Sequence, residues 1–207
     1  MSQVTKGTHP LLVKYLEQLA AHPLRTKAFT TAFISFLQEV VASHIAGAPV
    51  KKPSRNAPIL QHLLARARID TRAVKLAIYG FLVSAPLSHV LVGSLQKFFA
   101  GKVGVQAKMA QIFVHNLLIS PIQALAYLTS MAIINGARTK EGIARTIKTG
   151  FWPVVRTTWI VSPLSMVIAQ KYIPLPLWVL YFNLIQFLVG TYFNVRVKKF
   201  KRKDIRD

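Results

Sequence analysis

The chain has no cysteine, which excludes disulfides, thiolate nucleophiles and cysteine-ligated metals. Acidic side chains are nearly as scarce: Glu17, Glu39, Asp70, Glu141, Asp204 and Asp207 are the only six among 207 residues. Paired carboxylates for acid–base or metal chemistry are therefore hard to assemble, and no glycine loop that would cradle a phosphate replaces them. These absences argue against an enzyme, and no catalytic residue, cofactor or metal ligand is expected. No cleaved signal, transit peptide or terminal address is expected. The N-terminus lacks the basic start and compact apolar run of a cleaved secretory signal. It also lacks the acid-free, Arg-rich character of a mitochondrial transit peptide, since Glu17 precedes the first arginine, Arg25. Ile205-Arg206-Asp207 matches neither a peroxisomal nor an endoplasmic-reticulum terminal address.

What is present is apolar and basic at once: 52% hydrophobic residues and a mean hydropathy of +0.38 accompany a formal charge of +21. Basic charge alone would suggest nucleic acid. Several apolar runs near membrane-span length, separated by basic loops, point instead to a membrane protein, with the lipid bilayer as partner and no nucleic acid. The fold class expected is all-α, a polytopic helix bundle with four to five transmembrane helices and short amphipathic interfacial helices, in one membrane domain covering 1–207.

Residues 10–22 place Leu11, Leu12, Tyr15, Leu16 and Leu19 on one face, which predicts an amphipathic helix too short to span. The first span is expected over 28–46, with Glu39 and His44 as its only ionisable side chains. Residues 47–72 form a basic, Pro-rich loop with Pro49, Pro53 and Pro58 among Lys51, Lys52 and Arg55, ending in Arg66, Arg68 and Arg72. The second span, 73–95, carries Gly80, Ser84 and Ser88 four apart, a small-residue stripe for close helix packing. Pro86 inside it predicts a kink that frees a carbonyl near Leu82. His89 follows, as a packing residue or a pore-lining one.

The third span, 110–134, holds two adjoining polar rows made by Gln111, His115, Asn116, Ser120 and Gln123, and Pro121 interrupts it. His89 and His115 have no nearby carboxylate or thiolate to complete a metal shell. Ser88 and His89, being sequence neighbours on a helix, do not face each other as a catalytic pair. Residues 135–150 predict an interfacial helix with Thr139 as N-cap. The fourth span, 151–169, contains Arg156 and Pro163; a turn at Ile173-Pro174-Leu175-Pro176 leads into a last span over 173–195. There Asn183, Gln186, Gly190 and Asn194 make one polar stripe, which must face either helices or water. Residues 196–207 are a basic tail. Loop charge places that tail on the more basic, cytosolic side with either four or five spans and leaves the N-terminus undecided.

Taken in order, Tyr15-Leu16, Pro23-Leu24-Arg25-Thr26-Lys27, Gly80 with Ala85-Pro86-Leu87-Ser88-His89, His115-Asn116 before Pro121, Trp152-Pro153, Ile173-Pro174, and Asn183 with Thr191-Tyr192 resemble the family of Mpv-seventeen and the 22-kilodalton peroxisomal membrane protein. The likeness covers nearly the whole chain and is nearest to the peroxisomal, fungal-type branch. The chain departs from the family pattern at Arg156, Trp159-Ile160, Trp178 and Gly190, and by about ten extra residues between Trp152-Pro153 and Ile173-Pro174.

The resemblance implies a peroxisomal membrane protein that forms or contributes to a pore for small metabolites, with a mitochondrial inner-membrane location as the alternative. His89, His115, Asn116, Gln123, Arg156, Asn183, Gln186 and Asn194 are the candidate pore lining, and basic mouths with Arg156 would favour organic anions. The alternative function is a non-conducting organiser of the organelle membrane whose polar stripes only hold helices or subunits together. A homo-oligomer and a receptor for import of peroxisomal membrane proteins, reading the basic clusters at 51–72 and 196–206, are the remaining expected partners.

Overall fold

In the computed structural model, residues 9–47, 58–66, 69–102, 104–173 and 178–203 are described. The Pro-rich core of the first loop, the Pro174–Pro176 turn and the last four residues of the tail lie outside them. The described residues form helices only: α1 (Pro10–Ala21), α2 (Pro23–Ile45), α3 (Ile59–Arg66), α4 (Thr71–Tyr79), α5 (Ala85–Phe98), α6 (Val105–Val114), α7 (Ser120–Ile134), α8 (Lys140–Tyr172) and α9 (Trp178–Lys203). A π-turn, Gly80–Ser84, joins α4 to α5, and a second, His115–Ile119, joins α6 to α7, so each pair is one rod. Four rods are long and apolar enough to cross a membrane: Pro23–Ile45, Thr71–Phe98, Met109–Ile134 and Lys140–Ala169. The protein is a polytopic all-α membrane bundle. Outward-facing Phe33, Ile78, Val90, Phe113 and Ile160 are all more than half exposed, which is the surface lipid requires.

The local sequence explains the breaks. His22 and Pro23 separate α1 from α2, and the Tyr15 and Thr30 hydroxyls, 3.3 Å apart, lay α1 back on α2. Both π-turns begin six residues ahead of a proline, Gly80 before Pro86 and His115 before Pro121. Proline in a helix lacks its N–H and its ring crowds the carbonyl four residues back. A wider turn takes up that crowding, and the Ala85 and Ser120 N–H groups reach back to the Gly80 and His115 carbonyls instead. The kink expected near Leu82 thus takes the form of a π-turn that contains it.

The interfacial helix expected over 135–150 and the span expected over 151–169 are one 33-residue helix, α8. Its start is capped by Thr139, whose hydroxyl accepts the Gly142 N–H at 3.2 Å. The helix runs on through Gly150, with the Thr146 and Thr149 hydroxyls bonded back to carbonyls of their own helix. Pro153 and Pro163 are both accommodated within it.

Rods that follow one another from α2 to α8 are antiparallel. Gly80 meets Thr31 and Ala32 of α2 while Arg72 meets Glu39; Tyr79 meets Tyr127, and Gly150 meets Leu128. Helix α2 packs most extensively on α4 and α9, and α7 on α8. Weaker contacts of α4 with α7 and of α8 with α9 close a ring.

Gly80 is the tightest crossing. A Cβ there would lie 2.8 Å from the Ser35 Oγ, 2.9 Å from the Thr31 carbonyl oxygen and 3.1 Å from the Ala32 Cα. Two of those three atoms are backbone and cannot rotate away. Gly80→Val is expected to destabilise the bundle by about 1–3 kcal/mol, read as a lower midpoint of thermal unfolding in detergent. An unchanged midpoint would remove this contact from the account.

Candidate functional site

The ring of rods borders a partly open cavity of about 1190 Å³. At a share of about 30 Å³ each, that is room for on the order of 40 water molecules. Its lining runs from Leu76 to Gln96 on the second rod, from Gln111 to Tyr127 on the third and from Val154 on α8 to Ile173 just past its end. At a rise of 1.5 Å per residue, those stretches extend for about 24–30 Å, close to the thickness of a bilayer's hydrocarbon core.

The wall has two characters. From α2 and the second and third rods come Ser35, Gln38, Ser88, Gln111, His115 and Gln123. From α8 and α9 comes a mixed wall, in which Val154, Val161, Met166, Phe182, Val189 and Phe193 alternate with Thr158, Ser162, Ser165, Gln186 and Asn194. The polar rows expected on the third span therefore do face inward at Gln111, His115 and Gln123. Ser84 and Ser88 also line the cavity, while Gly80, one turn earlier, packs on α2. The π-turn between them shifts the face that the small-residue stripe presents.

The other candidate residues divide. Gln186 and Asn194 line the cavity together with Gly190 of the same stripe. His89, Asn116, Arg156 and Asn183 are not among its lining. The His89 Nδ1 and the Asn116 Oδ1 are buried without a hydrogen-bond partner among the described residues. The Asn116 carbonyl accepts the Trp159 indole N–H at 2.7 Å, which ties the second π-turn to α8. Arg156 is exposed on the outer face of α8, its guanidinium 5.6 Å from the Trp152 ring centre. Helical side chains lean towards the N-terminus, and here that lean carries the charge back one turn onto the indole.

The α9 stripe is held by residues outside the sequence-based set. Gln38 of α2 donates its amide N–H to the Gln186 carbonyl at 2.9 Å, and the same amide occupies the space beside Gly190, where a Cβ would come within 2.5 Å of it. Tyr127 of α7 donates to the buried Asn194 Oδ1 at 3.3 Å. One helix is thus pinned to both sides of the ring. The signals for these contacts were present, as an amide directly before Glu39 in span one and a phenol in span three, but neither shows a partner in one dimension. Tyr127→Phe is expected to cost about 0.6 kcal/mol, and no more than about 1.7 kcal/mol, in a double-mutant cycle with Asn194→Leu. A coupling of zero would mean that the bond has no energetic weight.

Among the described residues, buried charge is found at one place. Glu39 of α2 is fully buried, and its Oε1 lies 3.5 Å from the Arg72 Nε. Arg72 also donates from Nη2 to the Met131 Sδ of α7 at 3.9 Å, and its own N–H is capped by Asp70 at 3.1 Å. Three rods meet at this pair. Neither residue lines the cavity, and the described residues contain no cluster of His, Asp or Glu able to hold a metal.

Fold and cavity together define a polytopic helical membrane protein built around a space lined by both polar and apolar side chains. Sequence comparison adds the lineage. A model of the Mpv17 / PMP22 family matches residues 132–194. The chain is similar to the Woronin body membrane protein wscA of Aspergillus fumigatus, 46% identical over 94% of this chain and 80% of that one. It is also similar to the Woronin sorting complex protein of Neurospora crassa, 42% identical over 93% of this chain and 59% of that one, so it spans rather more than half of that relative's length. The peroxisomal membrane protein PMP22 of Arabidopsis thaliana is 28% identical over 90% of each chain. The chain belongs to the Mpv17 / PMP22 family, as the resemblance in its motifs implied. No solved structure matches it.

Proposed function

We propose that the protein resides in the peroxisomal membrane and that its helix bundle forms, or contributes to, a pore for small metabolites. The cavity carries this reading: a space of about 1190 Å³, walled on one side by serine, glutamine and histidine side chains, is larger than helix packing requires. The relatives named above support the location, since one is a Woronin body membrane protein and another a peroxisomal membrane protein. The basic clusters at 51–72 and 196–206 are the segments a receptor for membrane-protein import would read, and a homo-oligomer is the assembly in which we expect the bundle to act.

The test is purified full-length protein in planar bilayers and in solute-loaded liposomes, with a fluorescently tagged copy observed against peroxisomal and mitochondrial markers. Conductance and solute release are expected, with peroxisomal fluorescence. Absence of both conductance and release across voltages and lipid compositions would overturn the pore, and mitochondrial fluorescence would overturn the location.

A second reading is favoured by the contacts of α9. Gln38 with Gln186, and Tyr127 with Asn194, join that stripe to other helices, as a non-conducting organiser of the membrane would need. Two relatives have Woronin body or Woronin sorting in their names. Asn183→Leu combined with Gln186→Leu is expected to change mobility on a native gel if assembly depends on side chains of the stripe. Intact assembly with lost solute flux would favour the pore.

A further inference from the structure

We infer that the outer face of α8 binds the headgroup of an anionic phospholipid, with Arg156 as the anchor. Arg145, Lys148, Trp152, Arg156 and Trp159 recur at spacings of three and four residues, so they share one side of the helix, and all of them are exposed. Ile160 and Leu164, 67% and 58% exposed, continue the lipid-facing surface. The Trp152 and Trp159 rings meet edge to face at 6.4 Å, and the Arg156 guanidinium lies 5.6 Å from the Trp152 ring centre. Because the Trp159 indole N–H donates to the Asn116 carbonyl at 2.7 Å, this platform is held from behind by the second π-turn.

The depth of Arg156 is what demands a partner. At 1.5 Å per residue, Lys148 and Lys171 stand about 34 Å apart along α8, near the two edges of a hydrocarbon core about 30 Å thick. Arg156 is the one charged residue between them, about 12 Å from Lys148. A cation at that depth must reach the interface or meet an anion, and its lean over Trp152 aims it at the nearer edge. The chain supplies no anion there. Among the described residues, no carboxylate pairs with Arg145, Lys148 or Arg156. A second copy offers none at that depth either, since the acids of the spanning rods and α9 are Glu39, buried on Arg72, and Glu141, about 22 Å away at the start of α8. The bilayer does supply one. A phospholipid phosphate matches the planar guanidinium through two parallel hydrogen bonds, while its acyl carbons rest on the two indoles. Lys148 and Arg145, higher on the same face, repel the ammonium of a zwitterionic headgroup and attract the extra charge of an anionic one.

The experiment uses the full-length protein carrying Trp178→Phe, which leaves Trp152 and Trp159 as its only indoles, in phosphatidylcholine vesicles. A small fraction of the lipid is replaced by brominated phosphatidylserine or by brominated phosphatidylcholine, and quenching of indole fluorescence reads which lipid sits against the rings. Brominated phosphatidylserine is expected to act with an apparent affinity at least about five-fold above that of brominated phosphatidylcholine. Arg156→Gln is expected to bring that ratio to within about two-fold of unity, Arg156→Lys to restore part of it, and Lys171→Gln, at the other end of α8, to leave it unchanged. Equal quenching by the two lipids, or a preference that survives Arg156→Gln, would overturn the inference. So would displacement of the lipid by inorganic phosphate, which would make the face an anion site open to water. Altered native-gel mobility on Arg156→Gln, with no lipid preference in the parent, would give the face to a protein partner instead. Where Arg156→Gln does not fold, the parent ratio and Lys171→Gln still decide it. None of these readouts depends on conduction, so the pore reading stands or falls separately.

Discussion

Glu39→Leu is expected to lower the stability of the bundle by about 3–5 kcal/mol, the largest effect of any single substitution considered for this chain. The carboxylate is fully buried and lies 3.5 Å from the Arg72 guanidinium, which is 12% exposed. Removing the acid leaves a cation enclosed between α2, α4 and α7 beside the Met131 sulfur. A thioether is a weak acceptor and does not replace a carboxylate. The sign of the argument is checked by the double replacement. Glu39→Leu with Arg72→Leu removes both charges and their desolvation cost, and is expected to recover most of the loss, because a buried pair contributes far less net stability than breaking it removes. Thermal unfolding of the three proteins in one detergent measures this. A double variant no more stable than Glu39→Leu would mean that the ion pair is not what the single substitution breaks.

That pair also marks where one-dimensional reading stops. Glu39 is visible as one of two ionisable groups in span one, and Arg72 as the last of a run of loop charges. Nothing in the sequence joins them, since their meeting depends on the rotation of two helices separated by the loop at 47–72. The breaks were far more legible, because proline acts locally: Pro86 and Pro121 each fix a disruption within the preceding turn, and the π-turns appear where that rule places them. Gly80 was legible as a close-packing residue for the same reason, its lack of a side chain being a local fact. The stripe on α9 was legible as a stripe, but its Gln38 and Tyr127 partners were not. Arg156 was seen as a polar group in an apolar segment, while the face it occupies is set by the packing of α8 on α7, which leaves the Trp152 side outward.

Closing the cavity from within is expected to separate the two readings of function. Ser88 of α5 and Ser162 of α8 both line it. Replacing both by tryptophan places two indoles in the space, whereas Ile160→Trp, on the lipid-facing side of α8, places an indole outside it. The inward variant is expected to lose at least about ten-fold of glycerol flux, because passage depends on the open cross-section, while the outward variant retains it. Native-gel mobility and tagged localisation are expected to match the parent for both, since both serines face the cavity. Parent-like flux in the Ser88→Trp, Ser162→Trp protein would show that the cavity is not the route. A changed assembly together with retained flux would give these walls a purely architectural role. Equal loss of flux in both variants would trace the defect to bulk on α8. Only the asymmetric result, flux lost from the inner face alone with assembly unaltered, is what a solute path through the five-helix ring predicts.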